Sequence, residues 1–337
     1  MVGIKDVARR AGVSIGTVSN VVNRPHMVSA STRARVLSAI QELGYVRDES
    51  ARQLRAGRSR IMALLVLDLG NPFFVDIARG AEETAQDEGL HVITCDSGHQ
   101  ADREVSYLSM LAEQRVRGVL LSPVDTSGAA LATFRRSEIP YVFVDRRVPA
   151  DEASSVSVDD VTGGALAARH LVETGHTEIA FVNGPSILAQ CRDREAGVRS
   201  VLNACAARLS VLETSELDVA SGRDAASRLL GMSPRPTAVF CANDLLALGV
   251  LQGMVAAGVR VPDELAIVGY DDIEFAGAAA VPLTSVRQPA RRLGRAAAEL
   301  LIAETGDGDS DEPVERQTVV FEPELVVRAS TSLTRSG

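Results

Sequence analysis

From Ile61 onward the chain alternates between short apolar runs and longer segments with apolar residues at helical spacing. That alternation restricts the possible folds more than any other feature of the sequence. In the run IMALLVLD (61–68) the first seven residues are all apolar, as a strand buried on both faces of a parallel sheet must be, and Asp68 closes it. The spacing predicts a helix over 73–88, a strand over 91–95, a helix over 103–114, a strand over 118–122, a helix over 128–136 and a strand over 141–145. A second series follows, with a helix over 161–173, a strand over 178–182, a helix over 192–209 and a short strand near 217–220. It ends with a helix over 222–230, a strand over 238–242, a helix over 244–257 and a strand over 265–270. Two such series argue for two doubly wound α/β units. Ligands of such sheets bind beyond the carboxyl ends of the strands. Those ends fall at Asp68–Phe74, Asp96–Ser97, Pro123–Asp125, Asp145–Arg147, Asn183–Pro185, Asn243–Asp244 and Tyr270–Asp272. Carboxylates and amides beside aromatic faces suit a small polyhydroxylated or heterocyclic ligand.

The N-terminal stretch has a different character. Ile4, Val7, Ala8 and Ala11 recur at helical spacing, with Lys5, Asp6, Arg9 and Arg10 on the other face. Gly12 stands where the chain must reverse, and Ser14 suits the N-cap of a second helix. In that helix Val18, Val21 and Val22 would face the first, leaving Ile15, Gly16, Thr17, Ser19 and Asn20 outward. This is a helix-turn-helix pattern, with a second helix of the size that enters a DNA major groove. Ser31 would cap a third helix over 32–43, with Val36, Leu37, Ile40 and Leu43 as its apolar stripe and Gly44 as its end. Residues 45–60 are polar, with Leu54 the one large apolar residue of a helix-prone segment over 50–56.

Charge divides the chain in the same place. Residues 1–60 hold eleven basic and four acidic residues, a net +7, and the rest hold 24 basic and 40 acidic, a net −16. A basic head on an acidic body suits a polyanionic partner for the head alone. No apolar run reaches the roughly 18–20 residues of a membrane span, and the N-terminus lacks the pattern of a secretory leader. A cytoplasmic protein with no membrane partner is the expectation. Cys95, Cys191, Cys205 and Cys241 form no C-x-x-C pair and the histidines no H-x-x-x-H, so reduced thiols and no metal site are expected. The acidic stretch Gly306–Glu312 lacks the ligand spacing of a calcium loop. Gly12–Gly16 matches G-x-S-x-G, but a nucleophile elbow must follow a strand and here a helix precedes it. No phosphate-binding glycine loop is anchored to a strand. No catalytic residue, no cofactor and no enzymatic activity are therefore expected.

Taken together, the motifs resemble those of the lactose-repressor/galactose-repressor (LacI/GalR) family over essentially the whole length. The pattern I-K-D-V-A-x-x-A-G-V-S-x-x-T-V-S-x-V-x-N spans Ile4 to Asn23, and S-A-R-Q-L spans Ser50 to Leu54. N-P-F-F (71–74), R-x-x-G (194–197), A-N-D (242–244), G-Y-D-D (269–272) and P-L-T-S-V-R-Q-P (282–289) follow in the family's order. The resemblance implies a transcriptional repressor in three parts: a headpiece over 1–48, a hinge helix over 49–59 and a two-lobed core over 60–330, like a periplasmic sugar-binding protein. The first lobe would hold about 60–158 and 287–317, the second about 159–286 and 318–330, with crossings near Val158, Arg287 and Gln317. A homodimer would bind a pseudo-palindromic operator in double-stranded DNA, one headpiece per half-site. The tail after Arg328 lacks a leucine heptad, which favours a dimer over a larger assembly.

The family's functional positions carry over residue by residue. Ile15, Gly16 and Asn20 fall at base-reading positions: Gly16 offers no side chain, Ile15 only apolar contact, and Asn20 a bidentate pair with adenine. Ser14, Thr17, Ser19, Asn23 and Ser31 read as phosphate contacts, with Lys5 and Arg52 the basic groups assigned to DNA. Leu54 would wedge a central base step open from the minor groove. In the core, Arg194 and Asp271 match effector-contacting positions, with Asn243 between them. Phe73, Phe74 and Phe240 would form aromatic walls, and Asp145 and Arg146 end a strand at the same cleft. The effector would be a sugar or related metabolite that acts by its preference between two arrangements of the lobes. A transport-type sugar receptor shares the two-lobed core, but would need a secretion signal and no basic head.

Overall fold

The computed structural model describes residues 2–45, 59–124, 131, 134, 136–306 and 315–331. The expected hinge helix with Arg52 and Leu54 lies outside the described residues, as do Asp125, most of the helix expected over 128–136 and the acidic stretch from residue 307. The chain divides into two units, Met1–Arg58 and Ser59–Gly337.

The first unit is built on three helices, α1 (Ile4–Ala11), α2 (Ile15–Asn23) and α3 (Ala30–Leu43). Val7, Ala8, Ala11, Val18, Val21, Val36 and Ala39 form its small core. Gly12 ends α1 at φ 63°, where a side chain would be strained. Ser14 caps α2 by accepting the Thr17 N–H at 3.1 Å. The third helix starts earlier than expected. Ser29, not Ser31, is its cap, accepting the Thr32 N–H, and Ser31 sits exposed in the first turn. Leu37 also departs from the expected stripe: it is exposed, because Val36, Ala39, Ile40 and Leu43 already span the face turned to the core.

The second unit holds two parallel sheets. In the first, β1 (Ile61–Val66), β2 (His91–Asp96), β3 (Gly118–Leu121), β4 (Tyr141–Val144), β5 (Ser154–Val158) and β11 (Thr318–Phe321) lie in the order β11-β5-β4-β3-β1-β2. In the second, β6 (Glu178–Asn183), β7 (Arg208–Glu213), β8 (Ala238–Cys241), β9 (Ala266–Asp271), β10 (Thr284–Arg287) and β12 (Glu324–Val326) lie in the order β12-β10-β9-β8-β6-β7, and only β12 runs antiparallel to its neighbour. Helices α4 (Pro72–Asp87), α5 (Ala101–Glu113) and α11 (Ala290–Thr305) belong to the first sheet's lobe. The second lobe has α6 (Asp160–Glu173), α7 (Ala189–Leu202), α8 (Val219–Leu230), α9 (Asp244–Ala256) and the short α10 (Glu274–Ala278). No described helix is long and apolar enough to cross a membrane.

Small residues set the helix packing. Helices α4 and α11, α6 and α7, and α8 and α9 pack in pairs. Each pair meets through one glycine from each side: Gly80 with Gly294, Gly164 with Gly197, Gly222 with Gly249. A methyl group on any of the six would overlap a backbone carbonyl oxygen of the facing helix.

Several elements differ from the sequence expectation. Helix α7 stops at Leu202, not residue 209, and Arg208–Glu213 forms an edge strand in parallel register with Glu178–Asn183. The alanine-rich run ACAARL extends the helical pattern past the true end, while Leu209, Val211 and Leu212 gain burial beside β6 only once the sheet exists. Strand β5, SSVSV, was not expected, because serine is rare inside a sheet. Its Ser155 hydroxyl is buried and satisfied, donating to the Val148 carbonyl at 3.2 Å. The third crossing between lobes falls at Glu322–Pro323 rather than near Gln317, because Thr318–Phe321 still pairs with β5.

Candidate functional site

The loops after the strands of both lobes converge on one cavity of about 440 Å³ including its mouth. Asn71, Phe73, Phe74 and Asp145 reach it from the first lobe, and Gln190, Arg194, Asn243 and Asp271 from the second. Each is placed by a recognisable local device. Asn71 caps α4, its Oδ1 accepting the Phe73 N–H at 3.0 Å. That cap turns Phe73 and Phe74 into the cavity, edge to face with centroids 5.1 Å apart. Asn243 caps α9 by accepting the Leu246 N–H at 2.9 Å, while its amide donates to the Leu217 carbonyl at 2.8 Å. Asp145 and Asp271 stand just after or at a strand end with φ of 57° and 101°, in the left-handed region that side chains seldom adopt.

Two side chains, Asn71 and Gln190, join the lobes directly by hydrogen bonds, and His99 Nδ1 of the first lobe lies 3.8 Å from Glu216 Oε2 of the second. The Asn71 amide donates to Asp271 Oδ2 at 2.9 Å. The Gln190 amide donates to Asp145 Oδ2 at 2.8 Å and to the Asp145 carbonyl oxygen at 3.0 Å. Gln288, on the second crossing, donates to Asp271 Oδ1 at 2.8 Å. Arg194 is held behind this layer. Its Nε donates to Asp160 Oδ1 at 2.8 Å and its Nη1 to the Ala242 carbonyl at 2.6 Å, and the guanidinium lies 3.7 Å from the Tyr270 ring centre.

Burial dominates the electrostatics. It pushes the Asp145 carboxyl up to about 8, reinforced by the neighbouring Asp160 and opposed by Arg194. Burial also raises Asp271 to about 6, against Arg194 and the donors Asn71 and Gln288. The Cys191 thiol on the cavity wall is pushed by burial up to about 11, so it is an inert neutral group.

Of the residues expected in the cleft, Phe73, Phe74, Asp145, Arg194, Asn243 and Asp271 line the cavity. Phe240 does not. It is fully buried in the second lobe, stacked on Phe181 at 4.9 Å, because inward positions of β8 face that lobe's core. Arg146 also lies off the cavity wall, with its Nε buried and without a hydrogen-bond partner. The expectation missed Gln190, Asp160 and His99, which sit in first helical turns or, for His99, in the loop after β2. Asp160 follows a strand that the sequence pattern does not announce, and Gln190 lies seven residues beyond the end of β6, so the strand-end rule reaches neither. Asp244, next to Asn243, is structural: its carboxylate accepts the Ser285 hydroxyl at 2.7 Å and the Ile273 N–H at 2.9 Å.

In the first unit, Lys5, Ser14, Ile15, Gly16, Asn20, Asn23 and Ser31 are exposed, and Thr17 and Ser19 half-buried. Ile15 keeps 45 % of its surface in solvent, a large apolar group with no core to join. Ser14 and Thr17 share a hydroxyl contact at 2.9 Å, and the Asn23 amide donates to the Ser19 carbonyl at 2.9 Å. These groups therefore hold the helix and face outward at once.

Comparison with known proteins agrees with this division. Residues 3–48 match the family described as bacterial regulatory proteins, lacI family, and residues 168–331 match the periplasmic binding protein-like domain. The chain is 34% identical over 333 residues to the HTH-type transcriptional repressor PurR of Photobacterium profundum, covering 98% of each. Among solved structures it resembles a transcriptional regulator CelR–cellobiose complex, at 34% identity, TM-score 0.72 and coverage of 98% of this chain and 100% of that one. It also resembles the lac repressor dimer bound to operator and the anti-inducer ONPF, at 28% identity, TM-score 0.80 and coverage of 98% and 99%. The chain belongs to the lacI family of bacterial regulatory proteins.

Proposed function

We propose that this protein is a sequence-specific transcriptional repressor that binds a pseudo-palindromic operator as a homodimer and whose operator affinity is set by a small effector, a sugar or related metabolite, held between its two lobes. The observation that carries the reading is the cavity itself: polar side chains of both lobes meet there, so a molecule within it touches both at once. The lobes are joined by three chain crossings, at Asp159, Gln288–Pro289 and Glu322–Pro323, which permit closure or tilt. A ligand then shifts DNA affinity by its differential affinity for the two arrangements. Relatives point the same way. One is complexed with cellobiose, and another is a dimer on operator.

In the headpiece, Ile15, Gly16 and Asn20 read the major groove, and Lys5, Ser14, Thr17, Ser19, Asn23 and Ser31 fix its register on the phosphates. Arg52 and Leu54 act in the minor groove. The protein works in the cytoplasm, where the chromosome is, and acts by binding without a chemical step or cofactor. A transport-type receptor has no use for the matched headpiece. Selection of random duplexes by the purified full-length protein, repeated with Leu54→Ala, tests the reading. An enriched pseudo-palindrome with a fixed central step, blurred in the variant, is expected. No enrichment with or without a metabolite extract overturns the repressor reading.

A further inference from the structure

A second cavity, of about 510 Å³ including its mouth, lies where the second crossing meets both lobes. Phe73 and Asp76 of α4, Asp272 and Ile273 beyond β9, and the crossing residues that lead into α11 enclose it. It shares Phe73 and Asp271 with the first cavity and nothing else. Two groups on its wall are unmatched. Gln288 is 4 % exposed; its Nε2 is engaged with Asp271, while its Oε1 is buried without a hydrogen-bond partner. A buried amide oxygen in that state marks a place for a donor. The other is the start of α11, a helix of 16 residues. Its N-cap, Pro289, offers no side-chain acceptor, and the N–H groups of Arg291 and Arg292 meet no acceptor among the described residues. Such N–H groups, with the dipole of the helix behind them, favour an anion. The charged side chains agree. Asp272 is met by Arg287 at 2.7 Å and Arg328 at 2.6 Å, Asp76 by Arg79 at 2.9 Å, and Asp271 by the amides of Asn71 and Gln288. Arg291 pairs with Glu83. Of the charged side chains lining this cavity, Arg292 is the one ionic group with no counterpart among the described residues, its guanidinium lying 4.8 Å from the Phe321 ring centre. The unmatched charge here is therefore positive.

We propose that this second cavity binds a small hydroxylated anion, a phosphate ester or a hydroxy acid. Its oxyanion rests on the first turn of α11 and the Arg292 guanidinium, and its hydroxyl donates to Gln288 Oε1. The site stands apart from the first cavity and does not depend on what that cavity holds. It touches α4 of the first lobe, the end of β9 in the second and the crossing between them. An occupant therefore favours one arrangement of the lobes over another and adds a second metabolite to the control of operator affinity. Gln288 also holds Asp271, which faces the first cavity, so one carboxamide couples the two sites.

The test follows the melting of the full-length protein at fixed ionic strength during titration with glycerol 3-phosphate, glycerate, propionate and glycerol. The expected result is a saturable rise with glycerol 3-phosphate or glycerate, and none with glycerol, which lacks the charge. Which of the first two acts separates a phosphate from a carboxylate ligand. Propionate, without hydroxyls, should bind about threefold to tenfold more weakly than glycerate, the range for one hydrogen bond to a neutral group. Arg292→Gln, a change on an exposed side chain, should weaken the anions by about tenfold or more, the range for a lost charged hydrogen bond. Gln288→Leu should erase the preference for glycerate over propionate. The melting of each free variant checks that it folds, and where Gln288→Leu does not, Arg292→Gln decides alone. No saturable rise with either hydroxylated anion overturns the proposal. So does a rise that Arg292→Gln leaves intact; if Asp145→Asn abolishes that rise, the anion sits in the first cavity. Operator selection does not enter this test, so its failure leaves the repressor reading standing.

Discussion

Asp145 illustrates how one residue can serve geometry and electrostatics together. It takes a backbone conformation that few side chains accept, and carries a carboxyl raised from its ordinary 3.8 to about 8. The folded protein therefore holds a proton that the unfolded chain has released. Its stabilising effect is full below about pH 4 and is lost as pH rises through about 8. Asp271, raised to about 6, adds to the same trend over a lower window. Thermal melting of the wild type should fall between pH 6 and 9, and Asp145→Asn should flatten that decline. A wild-type curve that rises over this range would contradict the burial of Asp145. The two cavity aspartates were legible in the sequence because strand ends collect function. Gln190 was not: an amide in the first turn of a helix has no motif of its own, and only the approach of the other lobe gives it a task. Phe240 shows the opposite error, since a sequence does not say which face of a strand looks into the cleft and which into the core.

At the scale of elements, long apolar or periodic segments were read well and polar or weakly patterned ones were not. Strand β1 declares itself through six consecutive apolar residues. Strand β5 has three serines in its five residues, and it becomes a strand only because β4 and β11 pair on either side of it. The glycine contacts between paired helices are likewise invisible to periodicity, because they depend on a partner distant in sequence. They are testable. Gly249→Ala and Gly164→Ala should each destabilise the protein by about 1–3 kcal/mol, measured by denaturant unfolding, since the added methyl meets rigid backbone. Their effects on ligand should differ. The methyl of Gly164→Ala would press on the Arg194 backbone itself, so this variant should also lose ligand affinity, while Gly249→Ala should retain it. Equal ligand affinity in both variants would detach Arg194 from the α6–α7 packing.

For the whole molecule, charge is the property that separates the parts. The first 60 residues carry a net +7 against −16 for the remainder. Affinity for nonspecific duplex should fall by about a thousandfold or more between about 50 and 200 mM salt, as expected for six or more phosphate contacts. A fragment beginning at Ser59 should not be retained on DNA at all; its retention would place the contacts outside the headpiece. The three crossings have another consequence, for birth rather than function. Strand β11 and helix α11 complete the first lobe, yet both follow most of the second lobe in the chain. On the ribosome, domains usually fold in the order they emerge. Here the lobe begun first cannot be finished first: β5 waits for its outer neighbour, and α4 for the helix that covers Gly80, until residues 290–321 have been made. The nascent chain therefore carries an unfinished sheet edge through most of its synthesis, and the second lobe, translated later, has nearly all of its parts sooner.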